Sequence, residues 1–316
     1  MVASVFIDGQ AGTTGLRIRD LLRPRRDLDV LEIDDQQRKD PAARQALFER
    51  ADVALLCLPD DAAREAVALC ADLDTRIVDA STAHRVADGW VYGLPELVAE
   101  QRERIAAARL VSNPGCWPTG VLLLLRPLVD AGLIAPDAPI AVHGLCGYTG
   151  GGKSMIERWQ DPELVHLPYE VPYALHRVHK HVPEMTRYSG LASAPQLRPS
   201  VAAFDCGMRI EIPLHAALLA GPSAAERIQE ALEARYTREP FISVLPPSAS
   251  QSPDEQCLDP RRCNDSNRVE LRAIAHPSGH VLLMAVLDNL GKGAAGAAVQ
   301  NLNLMLGLPE GEGLLA

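Results

Sequence analysis

The first quarter of the chain alternates short apolar runs with amphipathic stretches, and that alternation restricts the fold more than any other feature. Val2–Ile7, Leu28–Ile33, Val53–Leu58 and Arg76–Val78 read as strands. Thr14–Leu22, Pro41–Phe48 and Asp60–Cys70 read as the helices between them. Strands separated by helices cannot pair as hairpins, so they form a parallel sheet with helices on both faces. The turn after the first strand is Gly9-Gln10-Ala11-Gly12-Thr13-Thr14-Gly15. Glycines there let backbone N–H groups approach a pyrophosphate, which the positive end of the following helix stabilises. The spacing is G-x-x-G-x-x-G, so the position at the first strand–helix unit carries more weight than the pattern. The second strand ends in Glu32-Ile33-Asp34, and Arg38 and Lys39 follow. An acid there suits the ribose diol of NAD and basic residues suit the 2′-phosphate of NADP. Both are present, and Arg38 with Lys39 tilts the expectation to NADP.

The chemistry points to Cys116. It sits in Ser112-Asn113-Pro114-Gly115-Cys116-Trp117-Pro118, between the strand-like Arg109-Leu110-Val111 and the apolar run Val121–Leu125. Strand, tight turn, thiol, helix is the order implied. An ordinary thiol has a pKa of about 8.5, and a helix N-terminus with a nearby cation lowers it to roughly 3.5–7.5. A proton donor and acceptor is supplied by His176-Arg177-Val178-His179-Lys180-His181-Val182-Pro183-Glu184, which gathers three histidines in nine positions. Asp79-Ala80-Ser81-Thr82-Ala83-His84-Arg85 follows the fourth strand, on the carboxyl side of the sheet, where Arg85 would grip a phosphate or carboxylate.

Beyond Cys116 the pattern becomes α+β. Pro139–Leu145 and Met208–Leu214 read as strands, Ala224–Arg235 as a helix, and Val269–Ile274 with His280–Leu287 as an antiparallel pair. Asp161–Pro183 is expected to be irregular, Pro246–Asn267 a long loop and Gly291–Leu306 a closing helix. Gly147-Tyr148-Thr149-Gly150-Gly151-Gly152-Lys153-Ser154 matches the Walker A pattern letter for letter. The dinucleotide loop already occupies the first strand–helix unit and no Walker-B strand is evident, so a loop cradling cofactor or substrate is expected instead. The pair Cys257 and Cys263 near His276 and His280 lacks ligand spacing, and no metal site is expected.

Bulk properties exclude other classes. A formal charge of −10 opposes nucleic-acid binding. No apolar run is long enough to cross a membrane, and the N-terminus lacks the basic start and apolar stretch of a signal peptide. Seven cysteines without paired spacing predict reduced thiols in a cytoplasmic protein.

These segments together resemble the shorter type of N-acetyl-γ-glutamyl-phosphate reductase, an arginine-biosynthesis family related in fold to aspartate-semialdehyde dehydrogenase. The carriers are Asp8–Gly15, Asp79–Arg85, Ser112–Cys116, Gly147–Lys153, His179–Glu184 and Asp288–Asn301. The resemblance implies an α/β chain: a Rossmann-type parallel-sheet dinucleotide-binding domain over 1–116 and 289–316, and an α+β catalytic or dimerisation domain over 117–288 with a large mixed or antiparallel sheet. It implies that Cys116 attacks an acyl phosphate, that hydride from NADPH reduces the thioester, and that His179 or His181 is the acid–base. Arg85, Asn113, Lys153 and Glu184 would bind the substrate. Gly9, Ala11, Gly12, Thr13, Thr14, Gly15, Ser81, Thr149, Gly150, Gly151, Gly152 and Asn289 would line the cofactor, with Arg38 and Lys39. The expected assembly is a homodimer or homotetramer. The chain departs from the family at Thr149, often Ser; at Gly291, usually Val; and at Ala297, usually Gln. Substrates with an aspartyl or aminoadipyl skeleton remain alternatives, since one methylene is worth only about 1–3 kcal/mol of discrimination. ATP binding at the Walker-like loop and a non-enzymatic dinucleotide sensor are more distant ones.

Overall fold

The computed structural model describes residues 2–163, 167–219, 221, 224–246 and 258–316. Two compact units emerge, Met1–Gly115 with Ala294–Leu315, and Cys116–Gly293. Cys116 therefore groups with the second unit, as do residues 289–293.

In the first unit the chain runs β1 (Ala3–Asp8), α1 (Thr13–Leu22), β2 (Leu28–Leu31), α2 (Pro41–Arg50), β3 (Val53–Leu56), α3 (Asp60–Leu69), β4 (Arg76–Asp79), β5 (Val91–Tyr92), α4 (Gln101–Ala107) and β6 (Leu110–Ser112). The strands form a parallel sheet in the order β2-β1-β3-β4-β6-β5. Alternation along β1 explains why helices cover both faces. Val5 and Ile7 point into one cluster with Ile18, Leu22, Val299 and Leu302, while Phe6 points into another with Phe48, Ala54 and Ala66.

Asp8 closes β1 at the cradle, and its carboxylate is buried against the Arg44 guanidinium of α2, with Nε and Nη2 donating at 3.1 and 2.7 Å. Burial pushes the Asp8 carboxyl up, and Arg44 opposes that rise. Replacing Arg44 by Met strands a buried carboxylate and is expected to cost about 3–5 kcal/mol. Because the folded carboxyl then titrates still higher, the loss is largest at neutral pH. It shrinks as the pH falls and Asp8 takes up a proton. Urea unfolding of both proteins at neutral and acid pH checks this.

The second unit follows with α5 (Cys116–Asp130), β7 (Ala141–Gly147), α6 (Lys153–Gln160), β8 (Glu170–Pro172), α7 (Val182–Tyr188), β9 (Gln196–Ala202), β10 (Met208–Leu214), α8 (Ala224–Tyr236), β11 (Ile242–Val244), β12 (Val269–Ala275) and β13 (Val281–Leu287). Its sheet is mixed, in the order β11-β12-β13-β10-β7-β9-β8. Helix α5 is buried along almost its whole length and packs Val121, Leu124 and Leu128 against Ile210, Leu283, Ala285 and Leu287 of the sheet. The chain then returns to the first unit through α9 (Gly296–Leu306), whose Val299, Leu302 and Met305 join its apolar cluster.

Several sequence expectations change. The stretch 161–183 is less irregular than expected: it holds β8 and the start of α7, while 164–166 lie outside the described residues. Residues 247–257 of the expected long loop, including Cys257, also lie outside them. The closing helix is not continuous. Gly291–Ala295 forms a wider π-type turn, marked by the Gly293 N–H donating to the Asp288 carbonyl at 2.9 Å, before α9 begins.

Candidate active site

In the second unit Cys116 occupies the first turn of α5, as the tight Asn-Pro-Gly turn requires. Its neighbours on that turn are fixed. Trp117 is buried and its indole N–H donates to the Tyr173 hydroxyl at 3.1 Å. Gly293 approaches so closely that a Cβ there would fall 2.8 Å from that of Cys116. The Tyr173 ring meets His179 edge-on at 5.6 Å, and His179 meets His181 at 4.8 Å. The His181 main-chain N–H donates to His179 Nδ1 at 3.2 Å, so a neutral His179 carries its proton on Nε2. His181 and Glu184 are both buried, at the start of α7. A string of contacts therefore runs from the thiol helix through Trp117 and Tyr173 to the two histidines. Burial holds the Tyr173 hydroxyl above its ordinary range, with Cys146 and Cys116 adding to the rise.

The glycine-rich loop continues from β7. Tyr148–Gly151 makes a 3-10 turn, and Gly150, Gly151 and Gly152 lead into α6. Thr149 is held in place: its hydroxyl donates to the Asp205 carbonyl at 2.7 Å and accepts from the Asn289 amide at 3.0 Å. The Asn289 oxygen in turn accepts from the Gly207 N–H at 2.7 Å. Asn289 thus spends its amide on holding the loop. Lys153 is exposed and 3.7 Å from Glu157. The Walker-like segment therefore lies on a mixed sheet rather than in the core of a parallel one.

The first unit presents the dinucleotide cradle. Gly9 has φ +93°, a left-handed value that glycine tolerates, and a Cβ there would strike the Cys57 carbonyl at 2.3 Å. Ala11 and Gly12 are exposed, Thr13 and Thr14 are half-buried, and Gly15 is packed beneath them. Helix α1 begins at Gly12 with no side chain capping its N–H groups, which leaves those donors for an anion. Arg38 and Lys39 are exposed in the turn after β2. The cradle and the cations fit a dinucleotide carrying an extra phosphate.

The loop after β4 is organised around Asp79. Its carboxylate accepts from the Ser81 N–H at 2.9 Å and the Ser81 hydroxyl at 2.6 Å, and it pairs with His84 Nδ1 at 2.6 Å. Arg85 donates from Nε to the Asn113 carbonyl at 2.9 Å and from Nη2 to the Ala80 carbonyl at 3.0 Å. The Asn113 amide donates to the Ala294 carbonyl at 2.9 Å and its oxygen accepts from Asn301 at 3.1 Å. Ser81, Arg85 and Asn113 thus brace the loops of this unit.

Sequence reasoning missed Trp117, Tyr173 and Cys146. Tyr173 lay within the segment singled out as rich in His, Pro and Tyr. Nothing in the sequence separates it from Tyr169, which is 91% exposed.

A cysteine on the first turn of a helix, linked through Trp117 and Tyr173 to paired imidazoles, in a chain that also carries an anion-binding cradle on a parallel sheet, is the arrangement of the semialdehyde dehydrogenase class. Residues 13–106 match the family "Semialdehyde dehydrogenase, NAD binding domain" and residues 116–289 the family "Semialdehyde dehydrogenase, dimerisation domain". Among solved structures, aspartate semialdehyde dehydrogenase II of Vibrio cholerae shares the fold. Its TM-score is 0.72 at 17% identity, over 97% of this chain and 98% of that one. N-acetyl-gamma-glutamyl-phosphate reductase 2 of Pseudomonas putida is 49% identical over 98% of both chains. The corresponding reductase of a Chelativorans species is 47% identical over 97% of this chain and 99% of its own. The chain belongs to the N-acetyl-gamma-glutamyl-phosphate reductase family.

Proposed function

We propose that this protein reduces N-acetyl-L-glutamyl 5-phosphate to the 5-semialdehyde, releasing phosphate and consuming NADPH, the step that the family relationship assigns to arginine biosynthesis. The observation that carries the reading is Cys116 on the first turn of α5, joined through Trp117 and Tyr173 to the His179–His181 pair. The thiolate attacks the acyl carbonyl, the carbon–oxygen bond to phosphate breaks, and a thioester forms on Cys116. Bound NADPH supplies the hydride that reduces this thioester. The thiohemiacetal then collapses to aldehyde and thiolate. The histidine pair moves the proton between the sulfur, the reacting oxygen and solvent.

Gly9, Ala11, Gly12, Thr13, Thr14 and Gly15 would hold the pyrophosphate, with Arg38 and Lys39 on the 2′-phosphate. Ser81, Thr149, Gly150, Gly151, Gly152 and Asn289 are assigned to shaping the rest of the cofactor site. Arg85, Asn113, Lys153 and Glu184 are assigned to the substrate; the first two act by fixing loops and Lys153 offers an exposed cation. The opposite sign of this cation to the net charge of −10 suits a local anion site. No described helix is long and apolar enough to cross a membrane. A homodimer or larger homo-oligomer, acting in the cytoplasm, completes the reading. The exposed Tyr169, Leu175 and Val178 in the dimerisation-family unit support self-association.

The reverse reaction tests the chemistry. With N-acetyl-glutamate semialdehyde and NADP but no phosphate, NADPH appears as a burst of about one per subunit, because the thioester has no acceptor. Added phosphate converts the burst to turnover. Steady turnover independent of phosphate contradicts the acyl-phosphate reading. Slower turnover on the N-acetylated substrate than on aspartate semialdehyde would move the assignment to that substrate.

A further inference from the structure

A second sulfur lies against the reactive one. Cys146, near the end of β7, pairs with Met208 of β10 on one side and Val201 of β9 on the other, so its backbone is fixed by two neighbouring strands. It is only 4% exposed. Gly150 of the glycine-rich loop covers it, such that a Cβ there would come to 3.0 Å of the sulfur. Cys116 packs on the same apolar cluster from α5 but is only partly buried. The two side chains share a hydrogen bond.

Two thiols in contact must settle which one keeps its proton. Cys116 has the first turn of a helix at its back and partial access to water, both of which favour a thiolate. The surroundings of Cys146 act the other way. The hydrogen bond to Cys116 holds its pKa far above the ordinary thiol range, burial adds to this, and Cys206 and Asp288 push in the same direction. The charge of either sulfur would be felt at Tyr173, whose hydroxyl burial keeps protonated and whose ring meets His179 edge-on. The asymmetry makes Cys146 the S–H donor and the Cys116 sulfur the acceptor.

We propose that Cys146 is the positioning residue of the nucleophile: from its fixed place on β7 its S–H donates to the Cys116 sulfur, orients it and shares its negative charge. No proton crosses between the sulfurs in either half-reaction. The hydrogen bond weakens when Cys116 is acylated and re-forms as the thiohemiacetal expels the thiolate, which favours that expulsion. The inference rests on Cys116 being the nucleophile.

The test is alkylation by iodoacetamide across pH, under reducing conditions, with each labelled cysteine located by peptide mapping. In the unmodified protein Cys116 is expected to label with a midpoint below the ordinary thiol range, while Cys146 stays unlabelled throughout. C146A should raise the Cys116 midpoint by about one pH unit, the scale of one weak hydrogen bond to a charged group, and lower kcat more than it raises KM. C146S, whose hydroxyl donates in the same place, should restore both. A purely structural role would lower the thermal midpoint and leave the alkylation profile where it was. An unchanged profile in C146A, or preferential labelling of Cys146 in the unmodified protein, overturns the proposal. Should C146A not fold, labelling of the unmodified protein and the C146S profile decide it. If Cys116 itself titrates as an ordinary thiol in the unmodified protein, the nucleophile reading fails instead.

Discussion

Replacing Cys116 by Ser lowers turnover on the order of 10⁴-fold or more, the scale seen when a covalent nucleophile is removed. The effect is large because a helix N-terminus can bring a thiol into the titration range of a neutral cell but cannot do the same for an alcohol. The hydroxyl remains protonated, the acyl phosphate is not attacked, and no thioester is made available to hydride. The fold should survive the change. Cys116 is partly exposed, Ser is slightly smaller, and the Cβ that Gly293 approaches is retained. NADPH binding, followed by nicotinamide fluorescence, should therefore stay within a few-fold of the parent, because the cradle on α1 is a different part of the chain. A Ser variant with most of its turnover intact would remove Cys116 from the chemistry.

Gly9→Val should be the most damaging single change in the first unit. Gly9 has φ +93°, and any Cβ at that place meets the Cys57 carbonyl at 2.3 Å. The obstacle is backbone at the end of β3, so no side chain can swing aside. Strain at a left-handed φ costs about 1–3 kcal/mol and overpacking another 1–3 or so, and a β-branched residue adds the worst shape for that conformation. The expected loss is about 2–6 kcal/mol in urea unfolding. NADPH affinity should fall as well, since the displaced turn breaks the Gly12 N–H bond to the Gly9 carbonyl and carries the N–H groups of Thr13 and Thr14 away from the pyrophosphate. A variant of parental stability and affinity would show that the turn is not under the constraint described.

The legible parts of the fold are those where one periodicity wins. Met208–Leu214 alternates strictly and is β10, bound for bound, because one face of its strand is apolar core and the other is not. The parallel strands of the first unit were readable as apolar runs because both of their faces are buried. β9 was not readable: Gln196–Ala202 carries Arg198 and Pro199, and proline in a run argues against a strand. It lies in the sheet nonetheless, with the Pro199 carbonyl accepting from the Tyr173 N–H at 3.0 Å. β5 spans two residues, too short for any period. Gly291–Ala295 looked like a helix start, but five-residue hydrogen bonding around Gly293 is a tertiary adjustment that composition does not encode.

The site divides in the same way. The place of Cys116 at a helix start and the closeness of His179 to His181 were legible, because a tight turn and a short cluster fix them locally. Arg85, Asn113 and Asn289 were legible as polar residues but not in their function. The structure shows each of them holding a loop through main-chain groups. Cys146 was invisible, since one cysteine on an apolar strand reads as core until its neighbour across the fold is known.

The central claim is a covalent acyl group on Cys116. Incubating the protein with N-acetyl-glutamate semialdehyde and NADP without phosphate, quenching in acid and mapping the peptides tests it most directly. The account predicts an N-acetylglutamyl group on the Cys116 peptide, formed in step with NADPH, removed by phosphate and absent from the Ser variant. NADPH formation with no adduct on any peptide, or an adduct carried by a residue other than Cys116, would contradict it.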